Sequence, residues 1–228
     1  DWKLDSDFGD GIGGHGGVWE CPDFFPMVVQ GTEDVKWVLF VSINPGGPNG
    51  GSATQYFVGD FDGKQFKIDP SFENDLNNTE HKSIWIDYGR DNYAGVTWAN
   101  IPDTNGRKLF MGWMSNWNYA EVVPTETWRS SMTVARTVEL QKIDSSYRLL
   151  FQPVKELSNY RSTKFKKESI VIKRAEKIID SKSIDLSSTE INFKILDLKN
   201  SSFTFKLTNK QGDTLAFGYN NSEKNFFV

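Results

Sequence analysis

The sequence predicts an all-β fold, and three observations carry that expectation. Short runs of β-branched and aromatic residues recur along the first two thirds of the chain, each bounded by Gly, Pro, Asn or Asp. No stretch sustains the 3.6-residue apolar period of a long helix. Toward the C-terminus the pattern changes to alternation of apolar and polar residues, the period of a half-exposed strand.

Residues 37–43 form the clearest run, apolar enough for a strand buried on both faces. A Pro-Gly-Gly-Pro-Asn-Gly-Gly loop follows at 45–51, and residues 54–58 resume the strand pattern. The Gly-Asp-Phe-Asp-Gly segment 59–63 turns the chain into residues 64–68. Three strands joined by tight turns describe most of one propeller blade. The pattern returns at 96–100, 108–114, 132–140 and 147–151, each read as a strand. A plain β-sandwich satisfies the same spacing.

Residues 152–157 mark a boundary, beyond which aromatics thin out. Downstream, 191–195, 203–207 and 215–219 alternate with period two, as in a half-exposed antiparallel sheet, and 225–228 reads as an interrupted strand. The expected division is a first domain at 1–153, a linker at 154–161 and a second domain at 162–228.

Composition narrows the chemistry. The 228 residues carry 26 Lys and Arg against 30 Asp and Glu with the signs interspersed, which argues against a basic nucleic-acid-binding face. Segment 164–182 is locally rich in lysine, but acidic residues interrupt it and it reads as a solvated face or linker. Cys21 is the single cysteine, so no internal disulfide forms, and it reads as a small buried packing residue. With His15 and His81 the only histidines, no zinc site and no other metal or cofactor is expected. No apolar run reaches membrane-spanning length and no signal peptide is seen, so no membrane partner is expected. The triplets starting at Asn77, Asn200 and Asn220 match the glycosylation acceptor pattern, which recurs by chance in Asn- and Ser-rich chains.

The most informative stretch is Trp19-Glu20-Cys21-Pro22-Asp23, after a glycine-dense loop and His15-Gly16-Gly17. A carboxyl held against apolar surface has its charged form disfavoured, as a general acid requires. The plainer alternative is a glutamate that ends a strand. The glycines at 9–14 fit Gly-x-Gly-x-x-Gly, but a dinucleotide site needs a strand before and a helix after, and here a strand follows. These glycines read instead as backbone crowding a pocket mouth.

Residues 15–25 resemble the acid/base segment of glycoside hydrolase family 32, the β-fructosidases. Three further blocks resemble that family in the same order: Ser42-Ile43-Asn44-Pro45-Gly46-Gly47, then residues 87–94, then Gly112-Trp113-Met114-Ser115-Asn116-Trp117 running on to 124–130. The resemblance implies later blades of a five-bladed β-propeller followed by the start of a C-terminal β-sandwich. It implies a retaining hydrolase of sucrose, inulin or levan, with Glu20 as acid/base. It places Asn44 on the leaving-group side, where an amide suits sugar hydroxyls; the alternative is a turn-forming Asn before Pro. Trp113 and Trp117 are candidates for stacking on sugar, with core packing as the alternative for either. Asp91, in a block with Asp87 and Arg90, reads as a ligand-orienting carboxylate or as part of a structural turn with a salt bridge.

The family's nucleophile segment and its Arg-Asp-Pro segment do not occur here. The expectation is therefore a fragment, inactive alone, of an enzyme that is secreted or periplasmic at full length. Its expected partners are fructan or sucrose and either the missing N-terminal part or a second copy, since an incomplete propeller leaves blade edges to pair. The alternative function is a non-catalytic carbohydrate-binding module or decoy.

Overall fold

The computed structural model describes residues 1–101, 107–179, 186 and 188–228, with the side chain of His81 left aside. The chain divides into two compact units, Asp1–Arg161 and Ser162–Val228.

The first unit is built on two antiparallel sheets. In one, β1 (Val18–Val28), β2 (Val35–Asn44), β3 (Ala53–Phe61) and β4 (Phe66–Ile68) lie side by side in chain order. An eight-residue helix, α1 (Pro70–Asn77), follows. The second sheet runs β5 (Tyr93–Thr97), β6 (Lys108–Met114), β8 (Arg136–Ile143) and β9 (Ser146–Pro153), with β7 (Ser131–Met132) paired to the end of β6. Each sheet has the up-and-down order of a propeller blade.

The core lies between and beneath these blades. Phe40 of β2 meets Phe25 of β1 edge-on, with ring centroids 5.2 Å apart, and Phe110 of β6 at 5.7 Å. Phe110 in turn packs on Phe151 of β9 at 5.5 Å. Phe40, Phe57, Phe72 and Phe110 are all fully buried. This explains why 37–43 looks apolar on both faces: β2 is a middle strand that packs against its own blade and the next one.

Several expected boundaries move, each for a local reason. Strand 64–68 begins only at Phe66, because the Asp62 carboxylate takes the backbone N–H groups of Lys64 and Gln65 and holds them in a turn. The strand expected at 96–100 lies at Tyr93–Thr97; beyond it Trp98 still bonds to Leu109, and Asn100 turns to φ +54°. The single strand expected at 132–140 is two, β7 and β8, on the same edge of β6. Between them Thr133 bulges, its N–H donating to Gly112 O and its Oγ1 accepting from Gly112 N.

Helix α1 escapes periodicity analysis because its two buried apolar residues, Phe72 and Leu76, span a single turn. Its signal is local: Asp69 accepts from Ser71 N as N-cap, and Pro70 stands in the first turn. Asp69 also pairs with Lys36 of β2 at 2.9 Å, and Asp75 pairs with Arg148 of β9 at 2.5 Å.

Burial acts to raise the Asp69 carboxyl, but Ser71 and Lys36 outweigh it and hold it below its ordinary value of 3.8. Arg148 does the same for Asp75. For a depressed carboxyl the stabilisation is present above the unfolded value and is lost as pH falls through the folded one. Urea unfolding between about pH 6 and about pH 3 therefore shows falling stability, and Asp69→Asn flattens that fall.

In the second unit, β10 (Phe203–Thr208), β11 (Thr214–Asn220) and β12 (Asn225–Phe227) form a three-stranded antiparallel sheet. The opposed pairs Phe203/Tyr219, Phe205/Phe217 and Tyr219/Phe226 put aromatics on one face. The strand expected at 191–195 does not form; instead Phe193 stacks on Phe205 at 3.7 Å. In the lysine-rich stretch Lys166 pairs with Glu168 and Lys167 with Glu176 on the surface, while Lys182 lies outside the described residues.

Candidate active site

The site is built where the loops of both blades meet one end of their sheets. At that end of the first blade, Trp19 opposes Ile43, Glu20 opposes Ser42 and Ile43 opposes Ala53. The 45–52 loop joining β2 to β3 therefore stands beside Glu20. At the matching end of the second blade, Tyr93 opposes Trp113, and the 115–119 segment follows β6.

Glu20 differs from expectation. It is exposed rather than held against apolar surface, because neighbours on a strand face opposite ways and the apolar contact falls to Trp19. Trp19 packs on Phe57, stacks on His15 with centroids 4.9 Å apart, and donates from Nε1 to Gly14 O at 2.7 Å. Cys21 is likewise exposed, not a packing residue: it sits at φ +49° where the register shifts between Glu20 and Asp23. That irregularity re-aims the strand just beyond Glu20.

The glycines before β1 serve close packing. A side chain at Gly17 would meet Asn44 O at 2.3 Å, and one at Gly13 would meet the Phe57 ring at 2.6 Å. Gln55, fully buried, closes the loop by accepting from Gly14 N and donating to Gly14 O. Residues of this loop, with Phe66 and Lys67, line an open pocket of about 530 Å³.

The Tyr93 hydroxyl donates to Glu20 Oε2. Burial, and then the Glu20 carboxylate, push the Tyr93 phenol well above its ordinary value, so it remains a donor throughout the neutral range. The Tyr93 ring lies 6.3 Å from that of Trp113, which lies 5.1 Å from that of Trp117. Trp113 is half-buried and Trp117 is 50 % exposed. A carboxylate, a buried phenol and two indoles thus form one continuous chain of contacts.

Asn44, at the end of β2 in the same blade as Glu20, joins the assembly. Its Oδ1 accepts from Ser52 Oγ at 3.1 Å, and that oxygen accepts from Trp117 N at 3.1 Å. Four of the residues singled out from sequence, Glu20, Asn44, Trp113 and Trp117, are therefore linked through Tyr93 and Ser52. Sequence reasoning missed both linkers, although Tyr93 and Ser52 lie in or beside the quoted motifs.

Asp91 stands elsewhere. It lines a pocket of about 360 Å³ with Asp87, Asn92, Met114, Thr133 and Arg136. The Tyr119 hydroxyl donates to it, and burial, with Asp87 nearby, raises its carboxyl above the ordinary value. Asp87 makes its salt bridge with Arg136 of β8 at 3.3 Å, outside the 87–91 block in which a turn with a salt bridge is the alternative reading. Asn92 Oδ1 is buried in this pocket wall without a hydrogen-bond partner.

Comparison with known proteins matches this architecture. The family model of the glycosyl hydrolases family 32 N-terminal domain matches residues 1–153. A levanase of Bacillus subtilis is 46% identical over 175 residues, covering 76% of this chain and 25% of the relative. An extracellular exo-inulinase of Aspergillus niger is 42% identical over 166 residues, covering 71% and 29% respectively. Among solved structures, exo-inulinase from Aspergillus awamori superposes with a TM-score of 0.60 at 39% identity, covering 67% of this chain and 29% of that one. A Schwanniomyces occidentalis fructofuranosidase variant complexed with fructosylnystose gives 0.57 at 36% identity, covering 68% and 28%. The chain thus spans between a quarter and three tenths of the length of these relatives. The fold is all-β, a part of the β-propeller followed by β-sandwich that their family has. On the match over residues 1–153 and the two blades that those residues form, this chain belongs to glycosyl hydrolase family 32.

Proposed function

We propose that this chain is part of a retaining β-fructosidase that removes terminal fructosyl units from sucrose, inulin or levan. The observation that carries the proposal is the contact of one phenol, Tyr93, with both Glu20 and the Trp113 ring. It links an exposed carboxyl able to transfer a proton, through one phenol, to indole rings on which a sugar can stack, a combination that suits cleavage at a sugar chain end.

In this mechanism Glu20 protonates the leaving oxygen while a second carboxylate attacks the anomeric carbon. The fructosyl–enzyme ester is then hydrolysed by a water that Glu20 deprotonates. With Oε2 engaged by Tyr93, Oε1 is the atom that delivers and recovers the proton. The exposure of Glu20 lets a leaving sugar reach it. Asn44 and Trp117 face the leaving sugar, and Asp91 orients ligand hydroxyls in the neighbouring pocket. The attacking aspartate is supplied by chain outside these 228 residues, and the full-length protein is secreted.

The test is fructose release from sucrose, inulin and levan. The full-length protein releases fructose, and the 228-residue chain alone releases none. Release by the chain alone, lost on Glu20→Gln, overturns the division of labour between the two carboxylates. Saturable sugar binding by the full-length protein without turnover favours a carbohydrate-binding module instead.

A further inference from the structure

We infer that Asn116 is a positioning residue that clamps three loops into the wall holding the sugar beyond the cleaved bond; this rests on the β-fructosidase reading above. Asn116 is fully buried, and a polar side chain with no access to water is stable there only if the protein meets its hydrogen bonds. It meets them by reaching across both blades. Its Nδ2 donates to Arg90 O at 2.8 Å in the loop before β5, and to Gly50 O at 3.2 Å and Ser52 O at 3.3 Å in the loop after β2. Its Oδ1 accepts from Ser52 N at 3.3 Å and, within its own segment, from Asn118 N at 2.9 Å.

These three loops carry the groups on the open side of the site. Loop 45–52 brings Ser52, which holds Asn44 Oδ1 and the Trp117 backbone. The loop before β5 brings Arg90, exposed, and Tyr88, 62 % exposed, whose carbonyl accepts from Asn49 Nδ2. The segment after β6 brings Trp117 itself. The catalytic pair is fixed by other means: Glu20 by the β1–β2 ladder, Tyr93 by the β5–β6 ladder, and the two by their own hydrogen bond. Losing Asn116 therefore loosens the wall and leaves the proton donor in place.

The fit around Asn116 is close. A side chain at Gly51 would come within 2.1 Å of its Oδ1 and within 2.8 Å of the Asn118 side chain, at φ +67°. Glycine at 51 is thus what lets the loop close on the amide, and Gly51→Ala attacks the clamp from the other side.

The experiment is steady-state kinetics of the full-length enzyme on sucrose and on inulin-type and levan-type oligosaccharides, for wild type, Asn116→Ala, Asn116→Asp, Gly51→Ala and Ser52→Ala. Asn116→Ala raises KM for the oligosaccharides about 10-fold or more with kcat within about threefold, the signature of lost binding that the ground state and the transition state share equally. Asn116→Asp keeps the acceptor that serves Asn118 but loses the donors that cross the blades, so it behaves like alanine. Ser52→Ala, the milder change, raises KM in the same sense and serves if the Asn116 variants do not fold. A fall in melting temperature with KM unchanged makes Asn116 a purely structural residue and overturns the inference. A fall in kcat at unchanged KM overturns it too, by placing the effect at the reacting centre. Absence of fructose release by folded wild-type enzyme overturns the β-fructosidase reading itself, a failure distinct from these two.

Discussion

Glu20→Gln in the full-length enzyme lowers kcat for fructose release from sucrose by about 10²–10⁴-fold, the contribution of a positioned general acid–base. The substitution keeps the shape of the side chain and an acceptor for the Tyr93 hydroxyl, but removes the transferable proton. Because Glu20 is exposed, the melting temperature stays within the small range expected of a surface change. The loss is much smaller on an aryl fructoside, whose leaving group departs with little help from an acid. Tyr93→Phe retains the ring against Trp113 and loses only the hydroxyl, so its effect on kcat is the lesser of the two.

Phe40→Ala produces the largest expected loss of stability, about 3–5 kcal/mol, from lost transfer energy and the cavity left behind. Its ring is fully buried and touches Phe25 in its own blade and Phe110 and Phe151 in the next. No single neighbour can relax into the space without abandoning another contact. Since a domain is stable by only about 5–15 kcal/mol, the variant loses a large share of its margin. Urea unfolding followed by tryptophan fluorescence measures this directly. A loss under about 1 kcal/mol would show that the two blades do not share this core.

What the sequence discloses about this fold follows the range of the forces involved. Strand 37–43 is legible because both of its faces are buried, so nearly every residue is apolar. The turn expected at 59–63 lies at 62–65 instead, because β3 runs on to Phe61, and the capture of Lys64 and Gln65 by Asp62 shortens the next strand in a way composition does not record. Helix α1 is too short to show a period and announces itself only through Asp69 and Pro70. The Thr133 bulge depends on a bond to Gly112, 21 residues away.

The site divides in the same way. Of the proposed site residues, Glu20, Asn44, Trp113 and Trp117 stand out in the sequence because they lie in the blocks that resemble the family. Tyr93, Ser52 and Asn116 lie in or beside the same blocks but do not stand out, because their importance lies in whom they touch. Tyr93 meets Glu20 across 73 residues and Ser52 meets Trp117 across 65. The expectation of a Glu20 held against apolar surface fails on strand geometry: a residue adjacent to a packed tryptophan faces the other way. The same alternation makes Glu20 accessible to a substrate.

The proposed role of Glu20 as acid/base of a retaining reaction is open to direct test by chemical rescue. Full-length Glu20→Ala is assayed with an aryl fructoside in sodium azide, and the product is identified by NMR. If Glu20 has this role, azide restores turnover and gives the fructosyl azide with the β configuration of the substrate, because the small anion attacks the covalent intermediate without needing a base. No rescue with a correctly folded variant, or a product of inverted configuration, would contradict that role.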